Sequence, residues 1–403
     1  MSTSLMYHTQ QIRGFQHISL KFEDNKVIQC IKRKNFTCSF CRSNKVKLNP
    51  LRIRQVQALP YGLKKTYFEF TIHRIYCLKC KRRQIEDIPF LSHPKSRITQ
   101  ALERTIVELR SEMSISAIAK YFDLDWRTVK NVEKRYLKKK FKRIKLKNVR
   151  IIGIDEIFVS RKKENEKYKT IVRDLESGAV LHVGNGKGTE ALKQFENRIR
   201  RVKRNFEAVA MDMSRAFIKW VSENLPNAEI VFDHFHVIKM MNEKLDNVRR
   251  RITNNLDDNH RKLLKNQRFL FLRSVEKLEP DAKLLLDNLR KTFKELGDAS
   301  MMKEALRSIY RKAEDDTQAE AAFINWCSIA RQTEVPELAK MADTVEKHMK
   351  GITAYWRTGK LSNASMEGFN NKIRWLMRQA YGYRDEEYFK WKIFDLPNLK
   401  IKK

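Results

Sequence analysis

The sequence predicts a multidomain α+β protein, and three observations predict it. Strand-like alternation fills residues 1–90 around two Cys-x2-Cys pairs. The apolar period turns helical from about residue 97. From residue 150, short apolar runs ending in acidic residues alternate with helical segments, and strand signals then vanish between 237 and 360. With 403 residues, 42% of them hydrophobic, the chain can bury real cores in roughly two to four domains. No apolar run approaches the ~18 residues of a spanning helix. Residues 1–20 hold no apolar signal core, so a membrane or secreted protein is disfavoured.

Charge narrows the partner. Lys and Arg number 84 against 48 Asp and Glu, a net charge of +36, of which +24 falls in residues 1–150. A field of that size suits a polyanion, because Lys and Arg displace the counterions condensed on phosphate. The asymmetry marks a nucleic-acid-binding front and a more balanced body.

The elements follow in order. Residues 1–35 read as short strands, and 66–72 (Thr-Tyr-Phe-Glu-Phe-Thr-Ile) as a longer one. Cys38-x2-Cys41 and Cys77-x2-Cys80 stand 35 residues apart, which fits a ribbon with an inserted hairpin. A two-residue gap lets two thiolates converge on one ion, and two pairs complete a tetrahedral four-thiolate site. Such a site is structural, since it leaves no open position. Zn²⁺ is the expected occupant, another thiophilic ion the alternative, and His73 a weaker ligand choice. Cys30 and Cys327 read as ordinary core cysteines.

Ile98, Leu102, Ile106 and Leu109 share a helical face. A helix-break-helix then spans 112–136, with Ile115, Ile118, Ala119 and Phe122 inward and the break at Asp123-Leu124-Asp125. Arg127, Thr128 and Lys130 fall on the exposed side of its second helix, where a recognition helix meets bases or phosphates. An ordinary αα-hairpin is the plain alternative. Seven of residues 138–147 are Lys or Arg, a basic linker or helix end.

From 150 the strands are 151–155, 168–172, 179–183, 208–212 and 229–233, with helices from Thr189 (as cap) and from Ser214 between them. The order β-β-β-α-β-α-β fits a ribonuclease-H-like sheet. Asp155 and Asp212 each end an apolar strand, 57 residues apart. Clustered carboxylates repel unless a cation sits between them, and Mg²⁺ takes oxygen ligands shared with phosphate. Strand-end aspartates also serve as caps, so both readings stand on the residues alone. After Ser362 or Asn363 as cap, Glu367, Asn371 and Arg374 fall on one helical stripe, suited to metal and phosphate or to solvent. Asp233-x2-His236 closes the fifth strand and admits either an active-site or a structural role. Trp326 and Trp356 lie in the helical stretch, as core or as stacking platforms.

Together these motifs resemble the DDE transposases of the ISL-three insertion-sequence family. The resemblance rests on the cysteine pairs, the helix-turn-helix, Ile152-Gly153-Ile154-Asp155-Glu156, Met211-Asp212-Met213, Phe232-Asp233-His234-Phe235-His236-Val237, Ser362-Asn363-Ala364…Glu367-Gly368-Phe369-Asn370 and Ala380-Tyr381-Gly382-Tyr383. It covers the chain from the cysteines to about residue 394. It implies a catalytic triad of Asp155, Asp212 and Glu367 holding Mg²⁺ or Mn²⁺, with Asp233 and His236 as accessory residues. Arg127, Thr128, Lys130, Asn371 and Arg374 are the expected DNA contacts.

The division expected is a zinc ribbon over 1–95 and a helix-turn-helix with basic linker over 96–149. A ribonuclease-H-like core follows over 150–236 and 361–403, interrupted by a helical insertion over 237–360. The expected protein is a cytoplasmic, nucleoid-associated prokaryotic transposase. It binds terminal inverted repeats and target DNA, cleaves and joins strands, and works as a homodimer or larger assembly. The rivals are a transposase-derived regulator without turnover and a metal-dependent nuclease. Retention of all three acids argues against the regulator.

Overall fold

The computed structural model describes residues 3–160 and 167–398. It divides into two compact units, one ending at Lys142 and one running from Arg143 to Asn398. Among the described residues no helix is long and apolar enough to cross a membrane.

The first unit begins with a helix, Thr3–Gln10, where the sequence reads as strand. Its inward residue, Met6, is fully buried, but one apolar contact in eight residues leaves little period to detect. Strands β1 (Phe15–Glu23) and β2 (Lys26–Arg33) form a hairpin, as do β3 (Val46–Tyr61) and β4 (Lys64–Cys77). A short β5 (Arg83–Ile85) pairs with the end of β4. The order is β1-β2-β4-β3, with β2 and β4 parallel. Alternation in β4 turns Phe68, Phe70 and Ile72 into a core with Phe15, Ile31, Val56 and Phe90.

Three helices follow, Gln100–Leu109, Ile115–Phe122 and Trp126–Phe141. Each has a side-chain N-cap. Thr99 accepts from the Leu102 amide, Ser114 from Ala117 and Asp125 from Arg127. Asp123 ends the middle helix in the left-handed region, φ 51°, which makes the three-residue break a sharp turn. Ile98, Leu102, Ile106, Ile118, Phe122, Val129 and Val132 close the bundle. Gln57 of β3 ties the sheet to it, its side chain donating to the Phe122 carbonyl at 2.7 Å.

The second unit holds β6 (Ile151–Phe158), β7 (Tyr168–Asp174), β8 (Val180–Asn185), β9 (Ala208–Met211) and β10 (Glu229–Phe232). Their order is β8-β7-β6-β9-β10. The first three run as an antiparallel meander, and β9 and β10 lie parallel to β6. Thr189 is not a cap. It opens a 3-10 turn, Thr189–Leu192, whose capping position is Gly188, and the helix Lys193–Ile199 follows. A second helix, Arg215–Asn224, separates β9 from β10.

His182 of β8 is buried with Nε2 on the Ala191 carbonyl at 2.7 Å. Burial lowers its pKa from 6.5 to about 4. The folded chain keeps this ring neutral while the unfolded chain protonates it, so the stability it lends is present above pH 6.5 and drains as pH falls towards 4. His182→Gln should flatten that limb of the stability curve, worth roughly 3 kcal/mol at its foot. Denaturant unfolding at pH 7 and pH 4.5 tests it, and parallel losses in both proteins would refute it.

Eight helices span His234–Arg357 before the chain returns through Ala364–Gln379 and Glu386–Asp395. Their core is continuous with that of the sheet, one cluster running from Leu146 through Phe232 to Trp356. Trp326 and Trp356 belong to this core. Their indole N–H groups donate to the carbonyls of Met302 and Ala313, each at 2.9 Å, which removes them as stacking platforms.

Candidate functional site

The two cysteine loops are built alike. The Cys38 amide donates to the Ser43 carbonyl and its carbonyl accepts from Arg42. Cys77 does the same with Arg82 and Lys81. Arg42 and Lys81 both sit in the left-handed region, φ 57° and 58°, so each loop folds back tightly enough to aim both thiols at one point. The four sulfurs lie within 4.8 Å of one another. Cys38 and Cys80 are 3.6 Å apart, and Cys41 and Cys77 are 3.5 Å apart. Sulfurs arranged tetrahedrally at zinc stand roughly 3.8 Å apart, so the donor set fits zinc. The Cys80 amide, pointing at the Cys77 sulfur from 3.4 Å, holds that thiol down to about 6, ready to serve as a thiolate. His73 is not a ligand. It is paired with the buried Glu86 at 2.9 Å. Cys30 and Cys327 lie outside the cluster.

In the helix-turn-helix, Arg127 is exposed and Thr128 and Lys130 are half-buried. Arg127 and Lys130 both lie over the exposed ring of Trp126, at 5.6 and 5.8 Å from its centre. The indole thereby holds two cations at the start of the helix.

Strand register builds the acidic site. Gly153 pairs with Ala210 and Met211 with Phe232. Continued past those pairs, the register sets Asp155 inside β6 opposite Asp212 and Asp233, each the first residue beyond its strand, about 4.8 Å apart per step. The Asp233 amide donates to the Met211 carbonyl at 3.2 Å, which extends the pairing to that row. Strand β10 ends at Phe232. Asp233 and His236 therefore stand at the start of the helix His234–Asn254 and not on the strand.

Electrostatics agree with the row. Burial, reinforced by the like charge of Asp212 and offset by His236, lifts the Asp155 carboxyl above its ordinary range. Burial opposes ionisation of Asp233 too, but the His234 ring beside it holds that carboxyl below the ordinary range. Glu156, next along β6, is pushed up to about 7, first by burial and then by Asp212 and Asp155. Crowded carboxylates of this kind are what a hard divalent cation relieves.

The helix Ala364–Gln379 closes the site. Asn363 at its start donates to the Ile154 carbonyl at 3.4 Å, and Asn370 donates to Asp155 Oδ2 at 2.6 Å. Arg173 of β7 donates to the Ser365 carbonyl and lies 4.2 Å over the Phe369 ring. Glu367 is exposed, one helical turn from Asn370. Among the described residues, the four cysteines are the only ligand-type group of three or more gathered within 4.8 Å, so the carboxylates of Asp155 and Asp212 are drawn that close together with neither Glu367 nor Asp233. Asn371 and Arg374 face outward and are bonded to one another at 2.6 Å. Sequence reasoning chose them by the i, i+4 rule, gave Asn370 no role and set Glu156 aside as an acid outside the family motifs. The inward stripe is Met366, Phe369, Asn370 and Ile373, and an amide in an apolar stripe was the available signal.

Gly153 is what lets this helix approach. A Cβ there would meet Asn363 Oδ1 at 2.7 Å, Leu175 Cδ2 at 2.8 Å and Met366 Cγ at 2.9 Å. Gly153→Ala should push the helix off β6, cost about 1–3 kcal/mol of stability and lower cleavage more than DNA binding. Unfolding and cleavage curves equal to wild type would refute the close approach.

Comparison with known proteins gives the class, a transposase, and then the family. The profile of a transposase family matches residues 152–393, and that of the helix-turn-helix domain of transposase family ISL3 matches residues 86–137. The chain belongs to the ISL3 family of transposases. The transposase of insertion sequence element IS1001 of Bordetella parapertussis is 28% identical over 364 residues, 89% of this chain and 88% of that protein. The transposase of IS1557 of Mycobacterium tuberculosis is 27% identical over 361 residues, 83% of this chain and 79% of that protein. Among solved structures, the Drosophila P element transposase strand transfer complex aligns over 75% of this chain and 91% of that chain, at 9% identity and a TM-score of 0.40.

Proposed function

We propose that this transposase binds the terminal inverted repeats of its own insertion sequence, cuts the DNA there and joins the freed ends to target DNA. The observation that supports this most is the row of Asp155, Asp212 and Asp233, with Glu367 on the helix bonded to it. The strand order β8-β7-β6-β9-β10, antiparallel and then parallel, supports a ribonuclease-H-like core formed from 150–236 and 361–403 around a helical insertion over 237–360.

Asp155, Asp212 and Glu367 would hold Mg²⁺ or Mn²⁺. Such an ion, when bound, lowers the pKa of an attacking oxygen and neutralises phosphate charge. The protein contributes position. Both oxygens of Asp155 are fixed, Oδ1 by the Glu156 amide at 2.8 Å and Oδ2 by Asn370. Asp233 ends the row and His236 stands beside it, where the imidazole offsets carboxylate charge. Arg374 and Asn371, exposed beyond Glu367, would meet the DNA backbone. In the first unit, zinc at Cys38, Cys41, Cys77 and Cys80 would brace the sheet, and Arg127, Thr128 and Lys130 would enter the end DNA. Two copies, one per end, would make the working assembly.

The test is incubation of the full chain with DNA flanking its gene and Mg²⁺ or Mn²⁺. Cuts at the repeat ends that leave 3′-hydroxyls, followed by joining to a second DNA, are expected. Cuts without joining would make the protein a nuclease. Specific binding without cuts would make it a regulator.

A further inference from the structure

The helix Ala364–Gln379 buries one amide that packing does not need. Asn370 is 4% exposed and sits between Met366, Phe369 and Ile373 on the inward stripe. A buried polar side chain is costly unless each of its groups finds a partner. Half of this one does, since Nδ2 donates to Asp155 Oδ2 at 2.6 Å. The other half, Oδ1, is buried and accepts no hydrogen bond among the described residues. Turning the amide round gives no relief, because it would set two oxygens 2.6 Å apart. An apolar residue would fill the stripe without that cost. A carboxylate held on one side and an unfilled acceptor beside it are what a hydrated cation completes, since it brings both positive charge and water hydrogens.

We propose that Asn370 is a positioning residue of the cation site: it fixes the Asp155 carboxylate through Nδ2, and it keeps Oδ1 as an acceptor that is filled when a hydrated divalent cation sits on Asp155. This rests on the reading of Asp155 as a cation ligand. On this reading the helix serves the site twice, with Asn370 as the brace of Asp155 and Glu367, exposed one turn earlier, as the ligand a bound cation would draw in. Partners that orient a metal ligand typically account for ten- to hundredfold in metal affinity.

The experiment is Mn²⁺ titration of the full-length protein without DNA, followed by the electron paramagnetic resonance of free Mn²⁺. Wild type, Asp155→Ala, Asn370→Ala and Asn370→Asp are compared, with thermal unfolding confirming that each is folded. Asn370→Ala should weaken Mn²⁺ binding about ten- to hundredfold. Asn370→Asp should bind at least as tightly as wild type, because it places a second carboxylate at the cation. A purely structural tie between helix and strand predicts the opposite for Asn370→Asp, which loses the donor and adds repulsion to Asp155. Asn370→Ala equal to wild type, or Asn370→Asp weaker than wild type, overturns the proposal. Should Asn370→Ala fail to fold, the Asn370→Asp result decides alone. If wild type and Asp155→Ala bind Mn²⁺ equally, Asp155 is not a ligand and the parent reading fails. If only Asp155→Ala is weakened, that reading stands and this inference falls.

Discussion

Asp155→Asn leaves affinity for end DNA within about twofold of wild type and lowers cleavage by on the order of 10³-fold or more. The size follows from what the substitution spares and what it removes. Asparagine has the same shape, and an oxygen at the same place still accepts from Asn370, although its amino group then faces the Glu156 amide and that hydrogen bond is lost. The residues proposed to enter the end DNA, Arg127, Thr128 and Lys130, lie in the other unit, so end recognition should be spared. The negative charge that draws a divalent cation is lost, and with it the proposed chemistry. Because burial and Asp212 already disfavour a charge at Asp155, removing it should also raise the thermal stability of the cation-free protein. Gel-shift, end-cleavage and thermal unfolding measurements on one preparation separate these effects. Cleavage within tenfold of wild type would remove Asp155 from the catalytic set.

Cys38→Ser has the second large effect, and it falls on binding. Three thiolates and a hydroxyl make a poor zinc site, and structural zinc supplies folding free energy directly, of order 10 kcal/mol in small zinc domains. The sheet of the first unit has its own core around Phe68, Phe70 and Phe90, so part of that loss is absorbed. The loop at residues 38–42 and the end of β4 would nonetheless be held together by an ion on the four cysteines. Zinc per chain should fall below half of wild type, the first unit should melt earlier, and end-DNA affinity should drop by at least tenfold. The second unit has a separate core and should keep its own transition. Wild-type zinc content with wild-type binding would show that the cysteines do not hold the metal.

Much of this protein was legible residue by residue. Two Cys-x2-Cys pairs announce a four-thiolate clasp because the spacing alone lets sulfurs converge. Ile115, Ile118, Ala119 and Phe122 on one face, followed by the break at Asp123-Leu124-Asp125, announce the helix-turn-helix because helical periodicity is a local pattern. Asp212 follows the last residue of β9, as its apolar run announces, whereas Asp155 lies inside β6, which continues to Phe158 because its ladder with β7 runs on. Contacts between distant segments were not legible. The helix Thr3–Gln10 carries little amphipathic signal, and tertiary contact at Met6 holds it. Parallel pairing of β2 with β4 and of β6 with β9 depends on long-range register, which no local pattern encodes. Asn370 was passed over for Asn371 because periodicity gives the faces of a helix but not which one turns inward.

The sequence by itself determined the chemical groups: thiolates spaced to converge, a large excess of cations, carboxylates closing apolar runs and a family signature that joins them. The tertiary structure decided the geometry. It set three aspartates in one row because β6, β9 and β10 run parallel in register. It seated a helix against that row because Gly153 has no side chain, and it turned Asn370 rather than Asn371 towards Asp155. Residue types and short spacings follow from covalent neighbours, whereas register, approach and facing follow from packing between segments far apart in the chain.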